Sequence, residues 1–382
     1  MSKVIIEKLA DYDLKKLHQF LERAFSLIPL DKQIKAGERV LVKPNFLWPK
    51  PVESAVCTHP AVIYATCQMV LDLGAKPVIG DSPSRGSAQL VAEKIGLVPL
   101  AKKLGVEIIN FAHLKRVEIK EPLKYHFLDL SEESLEFDRI INLAKFKTHA
   151  FLLLTLGVKN LFGCVPGKRK VIYHLECAYR PDLFALLLLE LYRYFSPQLS
   201  IVDGIVAMQG NGPNNGEPRK LGLLFASCDG VALDRVCGEV VNFPFDYNLT
   251  AFLGEKFQVG KGRLEEIKIE GVDLKEVKIK DFQLPHSGPP AGEKIPRLAR
   301  WFFKKQVHWR PEFDQEKCQA CGICVDTCPS QALSLLPKEK RTKTRKIQIE
   351  RSRCISCFCC QEVCPEGAIR SERGWLGKIL MR

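Results

Sequence analysis

The chain has 382 residues, 46% hydrophobic and 26% charged, a balance that belongs to a globular protein and excludes a disordered or fibrous one. It contains no stretch of about 18 apolar residues, which argues against a spanning membrane segment. The net charge of +13 is uneven, with 19 Lys and Arg against 10 Asp and Glu from Glu293 onward, a field that suits an acidic partner or anionic surface as well as an ordinary solvated face.

The opening residues lack the basic stretch, apolar run and small-residue cleavage site of a targeting signal, so a cytoplasmic location is expected. Residues 1–285 then alternate strand-like and helix-like patterns. Strands are predicted at "RVLVKPNF", "KPVIGDSP", "VEIINF", "RIINLAKF", "LSIVDGIVAM" and "LGLLFASCD", with helices at "HPAVIYATCQMVLDLG", "RGSAQLVAEKIG" and "PDLFALLLLELYRYF". The first helix is expected to cap at Gly74. Short apolar runs without alternation suit strands buried on both faces. The expected fold class is α/β, an open and mostly parallel sheet with flanking helices.

Polar residues collect at the predicted strand ends, where open α/β sheets bind ligands. "VLVKPNF" places Lys43 and Asn45 after a β-branched run, and "VIGDSPSRG" places Asp81, Ser82 and Ser84 in a turn before a helix. That turn reads as an anion site or as a helix cap. In "NLAKFKTHAFLLLTLGVKNLFGCVPGKRK", from Asn142 to Lys170, Lys145, Lys147 and His149 alternate and share one face of an extended chain. Lys159 and Asn160 interrupt the apolar run that follows, where polar groups need partners or form a site. Such cations would bind a carboxylate, phosphate or enolate, and a desolvated lysine can act as an acid. A solvated edge strand with surface lysines fits the spacing too.

"IVDGIVAMQGNGPNNGEP" puts Asp203 in mid-strand and Asn211 in a Gly/Asn-rich loop. No dinucleotide fingerprint or phosphate-binding loop is present. "CDGVALDRVCGEVV" carries Asp229, read as an N-cap, and Asp234. The candidate catalytic residues are thus Lys145, Lys147, His149 and Lys159. Lys43, Asn45, Asp81, Asn160, Asp203 and Asn211 are the candidate substrate contacts.

"LPHSGPPAGEKIP" reads as a linker, and the basic, aromatic "RLARWFFKKQVHWR" as a packing helix or an interfacial membrane helix. Together they are set at 286–310, followed by a cysteine-rich domain at 311–370 and a tail at 371–382. Nine of the fifteen cysteines fall between Cys318 and Cys364. In a reducing compartment such clusters bind metal rather than form disulfides.

"CQACGICVDTCPSQAL" and "CISCFCCQEVCPEGAI" align without gaps, 36 positions apart, each carrying C-x2-C-x2-C-x3-C-P. Three closely spaced thiolates hold three corners of a 4Fe-4S cube, and the cysteine before proline ligates the other cube. Cys318, Cys321, Cys324 and Cys364 are assigned to one cluster, and Cys354, Cys357, Cys360 and Cys328 to the second. Cys359, where the first repeat has Ile323, is read as a packing residue. Zinc ribbons also use C-x2-C pairs, but two gapless four-cysteine units favour two 4Fe-4S clusters. The segment resembles bacterial two-cluster ferredoxins, which implies a small α+β module passing single electrons.

"VLVKPNF", "THPAVI", "GDSPS", "AKFKTHAFLLLTLGVKNLFGCVPG", "VDGIVAMQGNGPNNGEP" and "DGVALD" together resemble the domain of unknown function 362 family, whose members often carry a ferredoxin tail. The resemblance implies an α/β domain fused to a two-cluster domain. It points to Lys145, Lys147, His149, Lys159 and Asn160 as a site, and supplies no substrate. The expected function is electron transfer, as a reductase feeding low-potential electrons to a small anionic substrate. The alternative is a non-catalytic redox partner of an electron donor or acceptor protein, acidic in character. Nucleic acid is not an expected partner, since no motif for it accompanies the charge.

Overall fold

The structure, a computed structural model, describes residues 1–285, 309–337 and 346–373. The predicted linker and aromatic segment (to 308), the basic insert at 338–345 and the tail from 374 lie outside the described residues.

The main body is built from strands β1 (Ser2–Lys8), β2 (Arg39–Lys43), β3 (Lys76–Asp81), β4 (Glu107–Asn110), β5 (Leu114–Glu118), β6 (Phe127–Ser131), β7 (Arg139–His149), β8 (Leu153–Thr155), β9 (Leu199–Gln209), β10 (Glu217–Ser227) and β11 (Ile267–Gly271). All six predicted strands are present. β1, β11 and the β5–β6 hairpin escaped sequence reading: β1 and β11 carry exposed charged residues at their ends, β5 is almost wholly exposed, and β6, though buried at four of five positions, is only five residues long. Sheet order is β11-β1-β10-β9-β7-β2-β3-β4, with β8 folded back against β7. The run β9-β7-β2-β3-β4 is parallel, while β10 is antiparallel to both of its neighbours. This is the open, mostly parallel α/β architecture expected.

Helices α1 (Leu14–Phe25), α2 (Pro60–Asp72), α3 (Ala88–Lys94), α4 (Val98–Leu104), α5 (Gly157–Asn160), α6 (Arg169–Glu176), α7 (Pro181–Phe195), α8 (Gly230–Val240) and α9 (Leu249–Lys256) cover both faces. Alternation along the strands decides which face each residue serves. Val40, Val42, Ile141 and Leu143 pack with α1–α4, whereas Leu41 and Ile140 pack with α7. Burial on both sides explains the near-continuous apolar runs. Helix α2 starts with Pro60 after the His59 cap and gives way to Gly74 at φ +74°, as predicted. Asp229 caps α8, accepting the N–H groups of Val231 and Ala232.

The cysteine-rich segment makes two small antiparallel pairs, Trp309–Phe313 with Ile369–Arg373 and Leu333–Leu335 with Ile347–Ile349. Two one-turn helices, Ile323–Asp326 and Cys359–Glu362, repeat the spacing of the cysteine units. Among the described residues no helix is long and apolar enough to cross a membrane.

Candidate functional site: a lysine-lined cleft against the cysteine turn

Parallel strands β2, β3 and β7 deliver their carboxyl ends to one edge of the sheet. Lys43, fully buried, ends β2 and pairs with Asp81 at the end of β3 at 2.9 Å. Asp81 also accepts the N–H groups of Phe46 and Ser82, both at 2.7 Å. Gly163 lies against this pair so closely that a Cβ there would overlap Asp81 Oδ1 and Lys43 Nζ.

The three polar residues at the end of β7 do not act as one set. Between Lys145 and Lys147 the pairing with β9 jumps from Asp203 to Met208. Lys145 pairs with Asp203 at 2.8 Å, and both are buried. Asp203 further accepts the Tyr12 hydroxyl and the His59 N–H, while the Tyr12 and His59 rings stack. Lys145 and Asp203 thereby tie the starts of α1 and α2 to the sheet.

Lys147 instead donates to Asn45 Oδ1 at 2.6 Å and to the Val56 carbonyl at 2.7 Å. Burial without a carboxylate partner brings its pKa down to about 7. An amide chain continues from it. Asn45 Nδ2 donates to Asn160 Oδ1, and Asn160 Nδ2 to Asn142 Oδ1, at 3.0 and 2.8 Å. His149 accepts the N–H groups of Phe151 and Leu152 at Nδ1, which leaves the proton on Nε2. That buried Nε2 has no hydrogen-bond partner among the described residues.

Helix α5 places Lys159 and Asn160, its first N–H held by Asp234 at 2.7 Å. The Lys159 ammonium enters a cleft over the Phe162 ring and makes no side-chain hydrogen bond or ion pair among the described residues. Burial holds its pKa below the usual lysine value. Two further groups come from α6, where i,i+4 spacing puts them on one face. Lys170 donates to the Ser82 carbonyl, and burial brings its pKa to about 8. His174 stacks on Phe184, carries an unpartnered Nδ1, and is kept uncharged by burial, with a pKa of about 4.

The cysteine segment closes this cleft of about 100 Å³ with Thr327, Cys359, Glu362 and Val363. Glu362 Oε1 accepts the Ser84 hydroxyl at 2.9 Å, and its Oε2 stands 3.9 Å from His149 Nε2. The Gly/Asn-rich loop holds the cysteine turn in place. Asn214 donates to the Glu362 carbonyl, Asn215 to those of Gln361 and Cys364, and Asn211 to that of Ile369. Gln361 also donates to Asn211 Oδ1. Asn211 therefore sits in the docking contact rather than against the cleft, whereas Asn45, Asp81, Lys159 and Asn160 line it.

Sequence reading did not single out His174, Lys170 or Glu362. The i,i+4 pair on α6 was a readable signal; Glu362, inside a cysteine repeat, offered none.

In the cysteine segment two cavities each collect four thiols. Cys318, Cys321, Cys324 and Cys364 wall one, and Cys328, Cys354, Cys357 and Cys360 the other. Apolar Phe313, Ile347 and Ile369 complete the first, and Leu333, Ile349 and Phe358 the second. Ala320, Ala332 and Ala368 donate N–H groups to the sulfurs of Cys318, Cys328 and Cys364, contacts that tune cluster potentials. Among the described residues no three His, Cys, Asp or Glu groups close on a single-ion site. The thiols instead surround spaces, as an extended cluster requires, so the donor set fits the cubane. Cys359 projects to the cleft and lines neither cavity.

The family described as a domain of unknown function (DUF362) matches residues 40–239, and a 4Fe-4S dicluster domain matches residues 317–368. The latter makes the cysteine segment an iron–sulfur-binding, electron-transfer module. A thylakoid-associated protein of Synechocystis is 38% identical over 271 residues, 71% of this chain and 84% of that protein. Among solved structures, the lactate racemase apoprotein of Thermoanaerobacterium thermosaccharolyticum gives a TM-score of 0.39 at 13% identity, over 63% of this chain and 57% of that one. A Thermotoga maritima protein from a structural genomics programme gives 0.37 at 11% identity, over 64% and 59%. The chain spans less than two thirds of either structure, and neither likeness carries an argument about function.

Proposed function

Since the chain belongs to the family described as a domain of unknown function (DUF362) and carries a 4Fe-4S dicluster domain, we propose that it is a reductase whose two clusters feed an anionic substrate in the lysine-lined cleft. The observation that supports this is the shared wall: the Cys359–Glu362 turn, between cluster ligands, closes the same cleft that Lys159 and Lys170 enter. Cys318, Cys321, Cys324 and Cys364 would hold one cluster, and Cys354, Cys357, Cys360 and Cys328 the other. Each cluster, when bound, exchanges one electron, so two together match a two-electron, two-proton reduction once an external donor protein has charged them.

The chain's own residues bind the anion and move protons. Lys159 has a free ammonium for the substrate's charge. Lys147, with its pKa brought near 7 by burial, can hold or release a proton at neutral pH, and the Asn45–Asn160 amides link it to the cleft. His149 offers its Nε2 proton. Lys145 and Asp203 are satisfied by each other and act as support.

The division into an α/β domain at 1–285 and a two-cluster domain at 311–370 belongs to the same proposal, as does a cytoplasmic location. The thylakoid association of the Synechocystis relative is compatible with a donor met at a membrane face. The alternative, in which the module delivers electrons to an acidic partner protein, is favoured by one observation, the exposure of Cys321.

Native mass spectrometry of protein purified without oxygen tests the reading. The expected mass is that of two 4Fe-4S clusters, with a small anion retained or added back. Dithionite-reduced protein should then be reoxidised by the true substrate in the ratio of two clusters per molecule. Zinc, or absence of inorganic sulfide, would overturn the electron-transfer argument.

A further inference from the structure

Two buried imidazole nitrogens lack hydrogen-bond partners among the described residues: His174 Nδ1 in the cleft, and His149 Nε2 behind Glu362, 3.9 Å from its Oε2. The half-buried Lys159 ammonium enters the same cleft. His149 and His174 are 2% and 5% exposed. Leaving a buried polar group without a partner is costly, and two of them beside a half-buried ammonium mark a site awaiting a ligand. Both imidazoles are held uncharged by burial. The cationic charge at this end is therefore that of Lys159, which matches a monoanion better than a phosphate dianion.

The protein also shows which kind of acceptor faces these nitrogens. Glu362 reaches out of the cysteine turn, is anchored by the Ser84 hydroxyl, and presents Oε2 toward His149 Nε2 without closing a hydrogen bond. Its charge favours the protonated forms of Lys147, Lys159, Lys170 and His174 alike. A tethered carboxylate thus already faces the donors at a distance too long to satisfy them.

We propose that the inner end of the cleft is a carboxylate subsite, formed by His149 Nε2–H, Lys159 Nζ and His174, for which Glu362 is a tethered competitor. This rests on the reading of the cleft as the substrate site and names the class of anion it takes. The walls contributed by Leu47, Phe162, Val171 and Val363 take the apolar remainder, so the ligand is a compact carboxylic acid with a short apolar body. Entry of its carboxylate displaces Glu362 toward Ser84, which couples occupancy of the cleft to the turn between the cluster ligands.

The test is calorimetric titration of the full-length holoprotein, under exclusion of oxygen and at fixed ionic strength. Crotonate and benzoate are the carboxylate probes, with inorganic phosphate in a separate arm. One site for a carboxylate is expected, with phosphate at least about tenfold weaker. Glu362→Gln should bind the carboxylate about tenfold tighter, and Lys159→Gln at least about tenfold weaker, with cluster absorbance unchanged. Unchanged affinity in Glu362→Gln, phosphate binding as tight as carboxylate, or no heat from any probe would overturn the proposal. If Glu362→Gln fails to keep its clusters, Lys159→Gln, on α5 of the α/β body and outside the cysteine segment, decides alone: unchanged carboxylate affinity there refutes the subsite. Tight carboxylate binding in the cleft of a holoprotein whose clusters reduce nothing there refutes the reductase reading and leaves the subsite standing. Turnover of an uncharged or phosphorylated substrate does the converse.

Discussion

Gly163→Ala is the sharpest probe of the cleft floor. The residue sits in a 3-10 turn, Leu161–Cys164, at a backbone conformation any residue can adopt, so backbone strain is not the issue. The added methyl would instead occupy the space of Asp81 Oδ1 and Lys43 Nζ. Side-chain ends usually swing aside, but these cannot do so freely. Both residues are at most 2% exposed, the pair closes at 2.9 Å, and Asp81 is pinned by two backbone N–H groups while Lys43 donates to the Pro44 carbonyl. Overpacking alone costs about 1–3 kcal/mol, and separating a buried pair about 3–5 kcal/mol. A net loss of about 3 kcal/mol is expected, equivalent to roughly 5 °C in the melting temperature of a domain this size. The assay is thermal unfolding of the α/β domain by far-ultraviolet circular dichroism, with cluster absorbance recorded in parallel. A shift below about 2 °C would refute the reasoning, since it would mean that the Lys43–Asp81 pair relaxes freely and the floor is not preformed.

Cys359→Ser should retain both clusters, since Cys359 faces the cleft, whereas Cys360→Ser should lose one; iron and sulfide analysis decides, and cluster loss in Cys359→Ser would make that residue a ligand. Asp234, raised by burial from 3.8 to about 7, binds its proton more tightly folded than unfolded. The stability it contributes is full below pH 3.8 and is lost as pH rises through 7, by at most roughly 4 kcal/mol. Asp234→Asn should therefore flatten the stability profile between those values, and an unchanged slope would assign it to other groups. Asn215→Ala removes donors to the Gln361 and Cys364 carbonyls, worth about 1–2 kcal/mol, so hydrogen exchange in the turn Cys359–Cys364 should accelerate about 5–30-fold; unchanged exchange would show that the loop does not hold the turn. Lys43→Met should destabilise by about 3–5 kcal/mol because it strands Asp81, while Lys159→Met, which strands nothing, should be neutral or stabilising by thermal melt.

What could be read from the sequence followed from local pattern. Spacing alone yields the two expected cysteine sets, from each cysteine's place in a repeat, and the same eight thiols wall two cavities in the structure. The strand ends carrying Lys43, Asn45, Asp81 and Asn160 were legible because apolar runs mark where parallel strands stop. Partnerships at long range were not. Nothing local tells that Asp203 neutralises Lys145, 58 residues earlier, or that a pairing jump turns Lys147 away from it. The Gly/Asn-rich loop has the composition of a ligand-binding loop. Its side-chain amides dock the cysteine turn instead, since backbone carbonyls of an irregular turn need donors as much as a ligand does.

The buried lysines sort themselves by what balances them. Lys43 and Lys145 each meet an aspartate at 2.9 and 2.8 Å, so each pair is neutral and its loss would be structural. Lys147, Lys159 and Lys170 meet carbonyl oxygens or nothing, and burial has pushed all three toward the uncharged form. A chain that sites Lys159 and Lys170 in one cleft with Lys147 linked to it through amides, and lets a single carboxylate of the cysteine turn approach without closing on them, leaves positive charge for something else to neutralise. An arriving anion restores the protonated forms and gains from each. On the proposed reading, the anion's charge together with the protons the amines take up acts on the clusters behind Glu362, so that anion binding and cluster reduction would be linked equilibria, each changing the other by an equal factor.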